Sequence, residues 1–200
     1  MRPEPIKFLF GKPGLYSRSI LFQREPAWLP APALRPPADV RSWLLKSGSL
    51  TARLRRVEGP GFGVRLFRQG WGRPFIGEAA FLGLPLRRNV LLREVLLQCD
   101  GRPLVLARTV IPPGALRGAH CGLARLGNRP LGEVLFTYRG LQRTRLELAR
   151  IPPADWRDDI AREYGVYAPI WGRRSLYEVD EVSLSVCEFF LPAVLSLSEP

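Results

Sequence analysis

The chain has 200 residues, 46% of them hydrophobic, with a formal net charge of +12. That content supports one sizeable core in one domain, and no apolar run approaches the roughly 18 residues of a membrane span. The start, Met1-Arg2-Pro3-Glu4-Pro5-Ile6-Lys7, lacks the apolar stretch and cleavage site of a secretory signal, so a cytoplasmic location is expected.

In chain order, Pro26, Pro30, Pro32, Pro36 and Pro37 mark residues 1–38 as a Pro-rich N-terminal arm, laid over a domain spanning 39–200. Asp39 is expected to cap a short helix from Val40 to Lys46 that Gly48 ends. Ser49 caps a second, from Leu50 to about Val57. Gly63 to Gln69 alternates as a strand, Gly70-Trp71-Gly72 reads as a turn or bulge, and Phe75 to Phe81 as a short strand. Val90 to Gln98 and Leu104 to Ile111 form strands across Asp100-Gly101, a pair suited to a two-residue type I′ hairpin. A short helix follows among Gly114, Gly118, Gly122 and Gly127. Pro130 suits the first position of a helix, which would leave the Leu131 N–H free at an end that attracts anions. Gln142 to Arg150 reads as a strand and Ala154 to Tyr164 as a helix. Leu176 to Val179 and the strand beyond Asp180-Glu181 close the chain. The sum is an α+β domain with an antiparallel sheet of about six strands, one face buried.

Two of these strands carry a charge in an apolar face. Alternate residues of the last strand read Val182, Leu184, Val186, Glu188 and Phe190; those of the first hairpin strand read Leu91, Arg93, Val95 and Leu97. A buried charge without a partner costs several kcal/mol or more. Either Arg93 and Glu188 pair with each other or with nearby backbone, or they form the cationic and acidic ends of a closed pocket for a small anion bearing a hydroxyl. Counting outward from Asp100-Gly101 sets Leu97 opposite Leu104, Val95 opposite Leu106, and Arg93 opposite Arg108. Two arginines side by side on an apolar face call for an anion between them, which makes Arg108 a candidate for a second carboxylate.

Other chemistries find little support. Cys99, Cys121 and Cys187 are odd in number and far apart, as in a reducing compartment without a disulfide framework. His120 is the single histidine and there is no Cys-x-x-Cys, so a zinc site is not expected. The basic residues are spread along the chain and match no nucleic-acid-binding signature, so small anions rank ahead of nucleic acid as partners.

The blocks Leu92-Arg93-Glu94-Val95-Leu96-Leu97 with Asp100-Gly101, Ala107-Arg108-Thr109-Val110-Ile111-Pro112, Leu126-Gly127 with Arg129-Pro130-Leu131-Gly132, Trp171-Gly172-Arg173-Arg174-Ser175, and Glu188-Phe189-Phe190-Leu191-Pro192 resemble, in order and spacing, the chorismate pyruvate-lyase family. The resemblance spans roughly residues 39 to 192 and implies an antiparallel sheet with helical flaps over an internal pocket. It implies conversion of chorismate to 4-hydroxybenzoate and pyruvate, the first step of the ubiquinone ring pathway, without metal or organic cofactor, in a monomer without stable membrane insertion. It also implies that Arg93 binds the ring carboxylate with help from the backbone of Leu131. Glu188 then meets the ring hydroxyl near the backbone of Leu50. The rival reading is a non-catalytic sensor of small carboxylates with the same fold.

Overall fold

A computed structural model describes residues 18–116 and 118–197. Its frame is one antiparallel sheet of β1 (Leu29–Pro30), β2 (Phe62–Gly72), β3 (Val90–Cys99), β4 (Arg102–Ile111), β5 (Gln142–Ile151), β6 (Ile170–Val179) and β7 (Val182–Phe190). The strands lie in the order β1-β5-β6-β7-β4-β3-β2. Six are long, as expected; β1 adds a two-residue edge. Two meanders, β2-β3-β4 and β5-β6-β7, meet at the centre, where β4 pairs with β7. The helices are short: α1 (Ala38–Leu45), α2 (Leu50–Glu58), α3 (Ile76–Phe81), α4 (Leu131–Leu135), α5 (Asp158–Glu163) and α6 (Pro192–Leu195).

Local signals account for much of this. Ser49 Oγ accepts from the Ala52 N–H at 3.2 Å, capping α2. Asp100 and Gly101 both have positive φ, 47° and 80°, which suits a two-residue loop to the twist of the strands it joins. Asp39 is not the N-cap of α1, which starts at Ala38 after Pro37 and holds Asp39 in its first turn, and Pro130 is the N-cap of α4 and not its first residue, which is Leu131. Other expectations fail. Phe75 to Phe81 holds the helix α3, not a strand: Phe75 and Ala79, four residues apart, are both buried, and Glu78 Oε2 accepts from the Phe75 N–H at 2.9 Å. Gly70-Trp71-Gly72 continues β2, whose irregularity lies between Leu66 and Arg68. The stretch from 154 to 164 divides into a 3-10 turn, Pro153–Asp155, and α5. β6 starts at Ile170 and takes in the whole of Trp171 to Ser175.

The largest correction is the register of the β3-β4 hairpin. Cys99 faces Arg102 as expected, and Gln98 faces Pro103, but Leu97 faces Val105 because the register shifts there. Pro103 has no N–H for the ladder, a reason for an extra residue beside it. Every pair beyond the bulge is displaced: Glu94 faces Arg108, and Arg93 faces Thr109. Since adjacent residues point to opposite faces, Arg93 and Arg108 lie on opposite sides of the sheet.

Arg108 belongs to a charged row across the face away from Arg93. The cross-strand partners run Glu94, Arg108, Cys187, Arg174 and Glu147. Arg108 donates to Glu78 of α3 at 2.6 and 2.9 Å and to Glu94 at 2.8 Å, and Arg174 pairs with Glu147. These carboxylates outweigh the burial that opposes the Arg108 charge and hold its guanidinium above the ordinary value. The chain before α1 covers this face. Ser19 Oγ and the Ile20 N–H both bond to Glu94, and Phe22 packs its ring 4.3 Å from Trp156 and 4.8 Å from Phe189. Residues 1–17 of the expected arm lie outside the described residues.

Candidate active site

The face opposite the charged row carries a cavity of ≈ 550 Å³, part of it open to solvent. Its floor is the sheet: Val95 and Arg93 of β3, Ala107 and Thr109 of β4, Val186 and Glu188 of β7. Ala107 and Thr109 are small, and they stand on the strand between the two charged residues, so the sheet is hollow there. Its roof is the start of α2, with Leu50 and Thr51, and the start of α4, with Leu131 and Gly132. The two helices touch. A Cβ on Gly132 would lie 2.8 Å from Ser49 Oγ, and Arg55 of α2 is ion-paired with Glu133 of α4. Leu50 and Leu131 are each the first residue of a helix, where the backbone N–H has no intrahelical acceptor.

Arg93 and Glu188 do not pair. Arg93 is level with Thr109 and Val186, whereas Glu188 is level with Ala107, so Glu188 lies two strands across from Arg93 and two residues along. Strand spacing near 4.8 Å and a rise near 3.4 Å per residue put their Cα atoms about 12 Å apart. Each charge has its own support. Arg93 Nη1 donates to Gln69 Oε1 and to the Gly127 carbonyl, both at 2.8 Å, and Nη2 donates to the Arg129 carbonyl at 2.9 Å. Three of five N–H groups are thus anchored; among the described residues, Nε–H and one Nη2–H remain for a ligand, enough for a bidentate carboxylate. Among the described residues no carboxylate neutralises Arg93, and burial lowers its pKa to about 10. Glu188 is ion-paired through Oε2 with Nε of Arg173, its cross-strand neighbour on β6. Burial opposes the Arg173 charge, but the Glu188 carboxylate outweighs it and holds the guanidinium above its ordinary value. Tyr177, also on the cavity wall, is raised by burial and by the Glu188 charge.

The cavity therefore has a cationic end at Arg93, a hydrogen-bond-accepting end at Glu188, and an apolar middle. Among the described residues, no three His, Cys, Asp or Glu side chains group as a metal site. Residues 22–198 match the model of the chorismate lyase family. The chain belongs to that family. A "Probable chorismate pyruvate-lyase" of Methylococcus capsulatus is 48% identical over 160 residues, covering 80% of this chain and 99% of its own length. One of Azoarcus sp. is 42% identical over 179 residues, covering 86% and 94%. The family's fold has wider relatives. The crystal structure of PhnF from Mycobacterium smegmatis aligns at a TM-score of 0.53 and 21% identity, over 74% of this chain and 66% of its own.

Set against this chorismate lyase frame, four residues read from the sequence come together: Leu50, Arg93, Leu131 and Glu188 all line the cavity. Arg108 does not; it is buried in the row on the other face, held by Glu78 and Glu94. The sequence reading missed Gln69, which orients Arg93, and Arg173, which holds Glu188. Arg173 lay within a block that carried the family resemblance. Neither Gln69 nor Arg173 interrupts an apolar alternation, the signal that exposed Arg93 and Glu188.

Proposed function

We propose that this protein converts chorismate to 4-hydroxybenzoate and pyruvate by elimination and aromatisation, and so supplies the aromatic ring of ubiquinone. The observation that carries this reading is the placement of Arg93 and Glu188 at two ends of one cavity, too far apart to neutralise each other, in a chain of the chorismate lyase family. The ring carboxylate of chorismate meets the two remaining N–H groups of Arg93 and the N–H of Leu131. The ring hydroxyl meets Glu188 and the N–H of Leu50. In the reaction the bond between the ring and the ether oxygen breaks, and the hydrogen on the hydroxyl-bearing ring carbon leaves as a proton. The ring becomes aromatic, and the departing enolpyruvate takes up a proton to become pyruvate. Electrons balance without an oxidant or reductant. Aromatisation drives the step, so the protein has to hold the reacting bonds in geometry and steady charge on the leaving oxygen. Leu50, Thr51 and Leu131 close over the ring and keep water from it.

The substrate and product are small molecules. A cytoplasmic monomer acting without nucleic acid fits this reading, and none of the described helices is long and apolar enough to cross a membrane. The deciding experiment is incubation of the purified protein with chorismate, following 4-hydroxybenzoate absorbance and pyruvate together. Equimolar appearance of both is expected. A stable complex with chorismate and no product would instead make the protein a sensor of small carboxylates.

A further inference from the structure

The end of α1 is held by three arginines. Arg173 Nη1 donates to the carbonyls of Trp43 at 2.9 Å, Leu44 at 3.4 Å and Lys46 at 3.1 Å. Arg143 donates to Leu45 at 3.0 Å and Lys46 at 3.4 Å, and Arg53 to Ser42 at 3.3 Å. The last carbonyls of a helix have no intrahelical donor and carry its negative dipole end, so guanidinium groups suit them. Arg173 differs from the other two: its Nε is also the partner of Glu188, and it is 1% exposed. One buried fork thus ties the Glu188 carboxylate to Lys46, four residues before Leu50, where the roof of the cavity begins. Glu188 Oε2 is fixed by this pair. Among the described residues, Oε1 has no protein partner and is left to the cavity that Glu188 lines.

We propose that Arg173 is a positioning residue: it acts on the substrate through the Glu188 carboxylate and through the α1–α2 junction, without touching the substrate. This rests on the lyase reading of the site. With Arg173 in place, Glu188 presents one oxygen at the ring hydroxyl, and Leu50 is set at the height of that hydroxyl. A lysine at this position keeps the charge but has one nitrogen, which cannot serve both Glu188 and three carbonyls.

The test is a cycle of Arg173→Lys, Arg173→Gln, Glu188→Gln and the double variant Arg173→Gln/Glu188→Gln, with thermal melts to establish folding. The double variant removes both charges and leaves no unpaired buried ion, so it remains informative if Arg173→Gln alone does not fold. For Arg173→Lys, kcat is expected to fall about tenfold to a hundredfold while KM moves less than about threefold. In the Glu188→Gln background, Arg173→Gln should cost several-fold less kcat than it does in the wild-type protein, because one of the two routes it acts through is already removed. Wild-type kcat in a folded Arg173→Lys variant overturns the proposal. So does an equal loss of kcat from Arg173→Gln with and without Glu188→Gln. Calorimetric binding of 4-hydroxybenzoate and benzoate separates this proposal from the lyase reading, since it needs no turnover. The preference for the hydroxylated ligand should shrink in Arg173→Lys, and an unchanged preference overturns the positioning role. Failure of the wild-type protein to release pyruvate from chorismate would overturn the lyase reading instead.

Discussion

Arg93 reaches the cavity with its plane already set by Gln69, Gly127 and Arg129, while Glu188 arrives with its charge already met by Arg173. The two ends therefore differ in what a substitution removes. On the lyase reading Arg93→Ala deletes two charge-assisted bonds to the ring carboxylate, each worth about 1.5–3 kcal/mol, so substrate affinity should fall about a hundredfold or more. Glu188→Gln keeps the shape and the hydrogen bond, so kcat should fall about a hundredfold while affinity moves only a few-fold. Steady-state kinetics with direct binding of 4-hydroxybenzoate resolves the two; near-wild-type activity in both variants would refute the site. Arg108 belongs to another class. Arg108→Met leaves Glu78 and Glu94 buried without their cation and should cost about 3–5 kcal/mol in urea unfolding. The folded fraction should keep its affinity for 4-hydroxybenzoate, because the residue lies on the other face of the sheet. Affinity lost in proportion to Arg93→Ala would restore Arg108 to the site. The two charges that interrupt apolar alternation were legible from sequence; Gln69 and Arg173 were not, because their partners are distant in sequence and only the sheet brings them near.

The elements divide in the same way. The β3-β4 strands and their Asp100-Gly101 turn were legible because alternation and turn chemistry are local. α3 was not, since a short run such as Phe75 to Phe81 suits either period until burial decides. The bulge beside Pro103 was not either, and that one residue moved Arg108 to the far face. β6 shows how tightly the sheet is packed around the site. A Cβ on Gly172 would lie 2.8 Å from Phe189 Cδ1 and 2.9 Å from Ile151 Cδ1. Gly172→Ala should therefore lower stability by about 1–3 kcal/mol, read as a shift in the urea midpoint at constant slope. A midpoint equal to that of the wild type would show that Phe189 and Ile151 yield without cost.

At the scale of the whole molecule, one sheet separates two buried polar systems. The face under Ser19, Ile20 and α3 is a row in which carboxylates and guanidinium groups pair with one another, with Arg174 Nη1 4.0 Å from Glu25 Oε1 and not hydrogen-bonded to it. The other face leaves donors and an acceptor to a cavity under two short helices. Those helices touch at Gly132 and through Arg55 and Glu133, and on the lyase reading they act as flaps that part for ligand exchange. Product release should then be slow enough for added 4-hydroxybenzoate to inhibit steady-state turnover. Gly132→Ala pushes against Ser49 Oγ and should weaken that inhibition by about threefold or more. Rates unaffected by 4-hydroxybenzoate in the wild-type protein would count against closing flaps.

Sequence alone determined that Arg93 and Glu188 needed partners, because a charge at the wrong place in a period of two is visible wherever the strand finally lies. It also determined the short helices that begin at Leu50 and near Leu131, through Ser49 and Pro130. Only tertiary structure decided which partners those charges have. Register, the β4-β7 junction and the path of the chain before α1 depend on contacts between distant segments, and a single bulge reverses the face of every residue beyond it.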